Sequence, residues 1–116
     1  MGEAMDHSTE PLLDRDILNE NTMGSVPLQE ELFALFFEQG DLYIAQLEEA
    51  LRDGDADAWR MTAHGVKGAS RSLGLIRLAS MALEAEQSDP AGDLVALLRE
   101  AMAQTREIAW PQEDAA

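Results

Sequence analysis

A histidine and a lysine one helical turn apart are the residues of this chain best suited to chemistry. Both lie in the segment HGVKGASRSLG, from His64 to Gly74, and Lys67 is the chain's only lysine. A neutral imidazole keeps a free lone pair near pH 7, so histidine can act as a nucleophile and form a covalent intermediate. The segment also holds Gly65 and Gly68, although glycine costs a helix about 1 kcal/mol relative to alanine. Two such costs beside one histidine need a physical reason.

Helical periodicity predicts that this histidine faces solvent. On a wheel of about 100° per residue, apolar residues share one face and basic residues fall opposite. The predicted packing face holds Trp59, Thr62, Val66, Ala69 and Leu73. The opposite stripe holds Arg60, His64, Lys67, Gly68 and Arg71, with Met61 at its flank. The sequence therefore predicts an exposed imidazole on a basic stripe.

The stripe suits the transfer of a phosphoryl group. Cations one turn from His64 would offset the negative charge of a phosphoryl group on its ring. Gly68 would leave room for a second protein to bring the group in line, and phosphoryl transfer depends mainly on such positioning. Spacing alone leaves three other interpretations open: an ordinary surface histidine, glycines at a kink or close helix contact, and surface salt bridges.

Five helices are predicted to position this segment. The expected bounds of the first four helices are about 12–23, 26–52, 55–73 and 75–87. The fifth helix is expected to begin with Ser88 or Asp89 as its cap and Pro90 at its first position, and to end at Trp110-Pro111. There are no strand signals, and short connections make consecutive helices antiparallel neighbours. We predict an all-α fold: an up-down antiparallel four-helix bundle with a short extra N-terminal helix, together spanning residues 12–110. Residues 1–11, with a solvated His7, are predicted to be a disordered tail, and residues 111–116 a loose one.

Composition limits the partners and the compartment. The net charge of −15 opposes binding to nucleic acid and to anionic membranes, since both need a basic surface. No apolar run is long enough to span a bilayer, and the N-terminus lacks the apolar segment of a secretory signal. A metal site is not expected, because the chain has no cysteine and only two histidines. We expect a cytoplasmic protein without a cofactor of its own.

The twelve residues AHGVKGASRSLG, Ala63 to Gly74, resemble the signature A-H-x-L-K-G-[SA]-[SA]-x-x-[LIV]-G of histidine-containing phosphotransfer domains. Val66 is a conservative replacement for the signature leucine. A Gly-Asp pair before the helix, the segment LEAEQ after it and the phenylalanine-rich ELFALFFEQG extend the likeness over about residues 12–108. Gly65, directly after the histidine, and Arg71 are departures from the pattern.

The resemblance implies a small helical bundle that relays phosphoryl groups in two-component signalling and has no kinase activity of its own. The histidine matching His64 would accept the group from an aspartate of one receiver domain and pass it to another, with Mg²⁺ expected only in the receiver. Lys67 would help to neutralise the group, and Gly68 would admit the partner's active site. The resemblance also implies a Gln or Glu on the next helix that hydrogen-bonds the imidazole, which by offset is Glu86, next to Gln87.

Further residues are candidates for support and for partner binding. Ser70 matches the signature, and Arg71 is a candidate for phosphoryl stabilisation or a solvated arginine. The candidate partner-binding residues are Arg60, Met61, Gly65, Phe33 and Phe37. The two phenylalanines, with Ile44, match the apolar docking surface of family members, unless the first helix buries them.

Two other functions stay open at this point. One is the phospho-accepting domain of a chemotaxis-type histidine kinase, expressed apart from its catalytic portion. The other is an acidic helical interaction module, for which His64 would be dispensable. An autophosphorylating kinase is not expected, because the chain has no Walker-type loop and no room for a nucleotide domain. Receiver domains are the expected partners, and a hybrid histidine kinase is a further candidate.

Overall fold

The computed structural model describes residues 6–109, which form five α-helices joined by short turns. The helices are α1 (Arg15–Thr22), α2 (Val26–Asp53), α3 (Ala56–Ser72), α4 (Ile76–Glu86) and α5 (Gly92–Ala109). No strand occurs within residues 6–109, so the predicted all-α class is confirmed. Contacts run in a closed cycle from α2 to α3, α4, α5 and back to α2, while α1 packs on α2 and α3.

Local capping explains where α2 and α3 begin. The Ser25 hydroxyl accepts a hydrogen bond from the Leu28 N–H, and the Asp55 carboxylate accepts one from the Ala58 N–H. Each satisfies a backbone donor that the first helical turn leaves free. Gly54, at a φ of 64°, ends α2 in the left-handed conformation that glycine tolerates. The start of the helix that carries His64 is therefore fixed by residues next to it.

Two other helices begin later than predicted. The Asp14 side chain accepts hydrogen bonds from the N–H groups of Asp16 and Ile17, so α1 starts at Arg15 rather than near residue 12. The Ala91 carbonyl accepts from the Val95 N–H, so α5 starts at Gly92, and Pro90 precedes the helix instead of opening it. The predicted end of α5 at Trp110 lies outside the described residues.

The core contains the three phenylalanines of α2. Phe33 and Phe37 are 0% and 5% exposed, and Phe37 packs edge-on against Phe36. Their prediction as a docking surface is therefore wrong. Because α2 contacts α1, α3 and α5, its wide apolar arc is covered on more than one side. Ile44 is partly buried against the same core.

Residues 6–11 lie against α4 and α5, and we call this segment the N-terminal strap. Its Pro11 carbonyl accepts a hydrogen bond from the backbone N–H of Arg77 at 3.0 Å. This bond satisfies a free donor of α4, which has no side-chain cap. The Arg77 guanidinium donates to the carbonyls of Ser8 and Glu10, each at 2.9 Å.

The strap corrects the prediction of a disordered tail for residues 6–11. The side chain of His7 is only 9% exposed, and its Nε2 lies 2.9 Å from a carboxylate oxygen of Glu84. Periodicity could not predict this contact because the strap is not helical and its partners are far away in the chain. The rest of the predicted tail, residues 1–5, and the predicted loose tail at 111–116 lie outside the described residues. Within residues 6–109, no helix is both long and apolar enough for a membrane crossing.

Candidate functional site

His64 projects from the middle of α3 into solvent, as the wheel predicts. Its side chain is 67% exposed. The opposite side of the helix packs into the core through Trp59, whose indole N–H donates to the Ala85 carbonyl of α4 at 2.8 Å. This buried anchor fixes the rotation of α3 about its axis. The imidazole is therefore held outward by the packing of the other face.

The Glu86 carboxylate joins His64 to Lys67. One of its oxygens lies 2.8 Å from Nδ1 of His64, and the other lies 2.6 Å from Nζ of Lys67. The predicted juxtaposition of Glu86 and His64 is therefore present. Hydrogen bonding from Lys67, and then from His64, holds the pKa of the Glu86 carboxyl below its usual value. The group is ionised near neutral pH and only accepts hydrogen bonds.

This contact determines which ring nitrogen of His64 is reactive. An ionised carboxylate at Nδ1 requires the proton of a neutral imidazole to sit on Nδ1. Nε2 then carries the free lone pair, and it makes no hydrogen bond within residues 6–109. The arrangement presents one nucleophilic nitrogen to solvent and holds the ring in one orientation.

Lys67 lies closer to the protein than the wheel predicts. Its side chain is only 14% exposed, because the long stem leans toward α4 and ends at Glu86. The apolar part of a lysine often covers neighbouring surface in this way. The ammonium is therefore beside the histidine through a shared carboxylate, rather than free on the solvent stripe.

The two glycines of the segment have different surroundings. A Cβ placed on Gly68 would have no atom within 4 Å, so this position opens onto free space next to His64. A Cβ placed on Gly65 would lie 3.3 Å from both Cε1 and the hydroxyl oxygen of Tyr43. Gly65 therefore marks a close contact between α2 and α3, and α3 continues through it as one helix.

The remaining predicted residues divide into exposed and buried ones. Arg60 is exposed and pairs with Asp57 at 3.1 Å, Met61 is 71% exposed, and Arg71 is exposed near the end of α3. Ser70 is 0% exposed, and its hydroxyl has no hydrogen-bond partner within residues 6–109. It lies on the core side of α3, so a supporting role for Ser70 stays a prediction and would act through packing and not through contact with a partner.

An apolar surface that the sequence did not assign lies between α2 and α3. Leu35 and Leu42, two helical turns apart on α2, are each 53% exposed. A cleft of about 410 Å³ opens beside Leu35, and Tyr43 forms part of its wall. The sequence predicts Phe33 and Phe37 as the docking residues, whereas leucines occupy the exposed apolar positions of α2.

Comparison with known proteins relates this arrangement to a family. The Hpt domain family matches residues 31–108. The crystal structure of histidine-containing phosphotransfer protein B (HptB) from Pseudomonas aeruginosa PAO1 is similar to this chain with a TM-score of 0.79 and 28% sequence identity, covering 87% of this chain and 93% of that one. No curated protein matches the chain.

Proposed function

Since the chain belongs to the Hpt domain family, we propose that it is a phosphorelay intermediate in which His64 carries the phosphoryl group. His64 accepts the group from an aspartyl phosphate of one receiver domain and passes it to an aspartate of another. The observation that carries this proposal is the solvent-facing Nε2 of His64, in a ring oriented by the hydrogen bond from Nδ1 to Glu86. The chain contributes no kinase activity or cofactor, and Mg²⁺ belongs to the receiver.

The transfer follows from this geometry. The Nε2 lone pair attacks the phosphorus, the P–N bond forms, and the P–O bond of the aspartyl phosphate breaks with its electrons leaving on the receiver's carboxylate. The proton stays on Nδ1, so the phosphorylated ring is cationic. The Glu86 carboxylate stabilises that charge, because a hydrogen bond between two ionised groups is stronger than one between neutral groups. The second transfer reverses these changes on another receiver.

Lys67 and Gly68 support the same step in different ways. The Lys67 ammonium keeps Glu86 ionised and places a positive charge one helical turn from His64. Gly68 leaves the space beside the ring empty, so that a receiver can align its aspartate with Nε2. Arg60 and Arg71 are exposed cations on the same stripe and favour an acidic receiver site.

We also infer the finer architecture that supports the site. The connections between α2 and α3, α3 and α4, and α4 and α5 are only a few residues long. Short connections favour antiparallel neighbours. The four helices are therefore an up-down bundle, with α1 as an extra helix at one end.

A transfer assay tests the function. The chain is mixed with a panel of receiver domains phosphorylated on their aspartates, and label on the chain is followed by gel. Label that is acid-labile and base-stable identifies a P–N bond, and it should be lost in His64→Gln with unchanged helicity by circular dichroism. Transfer that survives in His64→Gln would overturn the site assignment. Absence of transfer from every receiver would favour an acidic interaction module instead.

A further inference from the structure

Tyr43 of α2 packs directly on Gly65, the residue that follows His64. The 3.3 Å separation from a Cβ at position 65 to the Tyr43 ring and hydroxyl is tighter than ordinary van der Waals contact. Any larger residue at position 65 would displace the ring. By comparison, a Cβ at Gly68 would meet nothing. The glycine at position 65 is therefore matched to the tyrosine, and the helix accepts its cost for this contact.

The Tyr43 hydroxyl is available to a second molecule. The residue is half-buried, and its hydroxyl makes no hydrogen bond within residues 6–109. A tyrosine combines an apolar ring with a polar hydroxyl, which suits a surface where one end is apolar and the other is wet. The ring also forms part of the wall of the α2–α3 cleft, together with Leu35, Gln39 and Ala69. One side chain thus joins an apolar cleft to an unpaired polar group.

His64 stands between two unlike surfaces. Toward α4 the neighbours are charged, with Lys67 and Glu86 in an ion pair. Toward α2, Tyr43 packs on Gly65 and lines a cleft with Leu35 and Ala69. Gly68 leaves the surface next to the His64 ring open. A domain that brings a phosphoaspartate to Nε2 must rest on the surface around it, and Gly65 places Tyr43 within that surface. The receiver is therefore the occupant that fits the α2 side.

We propose that Tyr43, seated on Gly65, positions the receiver domain and selects among receivers. Its hydroxyl hydrogen-bonds to the docked receiver, and the cleft beside it accepts an apolar side chain of that receiver. Tyr43 acts through docking and not on the reacting atoms, so it is a positioning residue. The inference rests on the proposed phosphotransfer function of His64.

Two labelling reactions separate docking from chemistry. The first measures the initial rate of transfer from a phosphorylated receiver as a function of receiver concentration. The second uses phosphoramidate, a small donor that needs no docking surface: Nε2 attacks phosphorus, the donor's P–N bond breaks, and ammonia leaves. Both are run on the parent chain, Tyr43→Phe and Gly65→Ala. Ile108→Ala, which truncates an apolar residue of α5 that is 37% exposed, is the matched control.

Tyr43→Phe should raise the half-saturating receiver concentration about fivefold, as expected for the loss of one neutral hydrogen bond, with the maximal rate and phosphoramidate labelling unchanged. Gly65→Ala should act in the same direction by displacing the ring, and Ile108→Ala should match the parent. Variants that transfer like the parent would overturn the docking role while leaving the phosphotransfer function intact. Reduced phosphoramidate labelling in either variant would also overturn it, because the pair would then only support His64. A parent chain that phosphoramidate labels but no receiver does would overturn the proposed function, and this inference with it.

Discussion

The carboxylate of Glu86 accepts a hydrogen bond from Nδ1 of His64 at 2.8 Å, which couples the last residue of α4 to the middle of α3. The two residues are 22 positions apart in the chain. The same carboxylate pairs with Lys67, so one acid orients the His64 ring and holds the Lys67 ammonium near it. The properties of the histidine are thus set by a neighbouring helix as well as by its own.

Glu86→Gln separates the orienting role of this residue from its charge. The amide oxygen can still accept from Nδ1, but it cannot stabilise a cationic ring as a carboxylate does. We expect transfer to His64 to slow about tenfold in Glu86→Gln and more in Glu86→Ala, measured as single-turnover label transfer. Equal rates in the parent and Glu86→Gln would show that only the hydrogen bond matters.

The pKa of Glu86 also predicts a pH dependence of stability. Hydrogen bonds from Lys67 and His64 lower the folded-state pKa of Glu86 below 4.5. A carboxyl with a depressed folded-state pKa contributes stability that is fully present above its unfolded-state value and is lost as the pH falls through the folded-state value. The stabilising contribution of the Glu86 carboxylate, measured as the difference in thermal stability between the parent and Glu86→Gln, should therefore be present above the usual pKa of 4.5 and be lost as the pH falls through the lower folded-state value. A difference that persists in strong acid would contradict this assignment.

Lys67→Ala should weaken the phosphorylated state more than the fold. Removal of the ammonium takes away the ion-pair partner of Glu86 and a positive charge near the phosphoryl group. We expect about tenfold slower transfer or a correspondingly shorter phosphohistidine lifetime, equivalent to about 1.4 kcal/mol, with unchanged helicity by circular dichroism. Arg52→Ala removes an exposed cation from the end of α2. This control should behave like the parent chain, and an equal loss in both variants would point to net charge alone.

Gly68→Gln should block partner approach while strengthening α3. Nothing lies within 4 Å of a Cβ at this position, so the substitution adds helix propensity without a clash. Thermal unfolding should show a gain of up to about 1 kcal/mol. Transfer from a receiver should fall sharply, because the longer side chain occupies the space beside His64. A destabilised variant would mean that the glycine is needed for packing.

Ser70→Ala tests the predicted supporting role of Ser70. The buried hydroxyl has no partner within residues 6–109, so its removal ends a desolvation cost without breaking a hydrogen bond. Stability in urea should stay equal or rise by up to about 1 kcal/mol, and the transfer rate should not change. Slower transfer with retained stability would return Ser70 to the site.

Arg77→Ala should release the N-terminal strap. The guanidinium donates to two strap carbonyls, and its truncation removes both bonds. We expect a loss of about 1–2 kcal/mol in unfolding free energy. Faster amide exchange should be confined to the strap and the first turn of α4. Unchanged exchange there would show that other contacts hold the strap.

Features that depend on nearby residues could be predicted from the sequence, and those that depend on distant ones could not. Ser25, Gly54 and Asp55 act on the adjacent turn, so the bounds of α2 and the start of α3 followed from residue type. The exposure of His64 followed from periodicity. The contact between Lys67 and Glu86 and the contact between Tyr43 and Gly65 depend on how α2, α3 and α4 pack together, so they could not be predicted from neighbouring residues. Glu86 itself was found through its offset in the family signature and not from periodicity.

Helix α4 takes its first hydrogen-bond acceptor from Pro11, which lies well before the family match that begins at residue 31. A fragment trimmed to residues 31–108 would cut into α2 and lose α1 together with the strap. The first turn of α4 would then fray. Because α4 has only 11 residues, fraying at its start would also disturb the position of Glu86 at its end. The unit that holds His64 and Glu86 in place is thus longer than the segment 31–108 that matches the family.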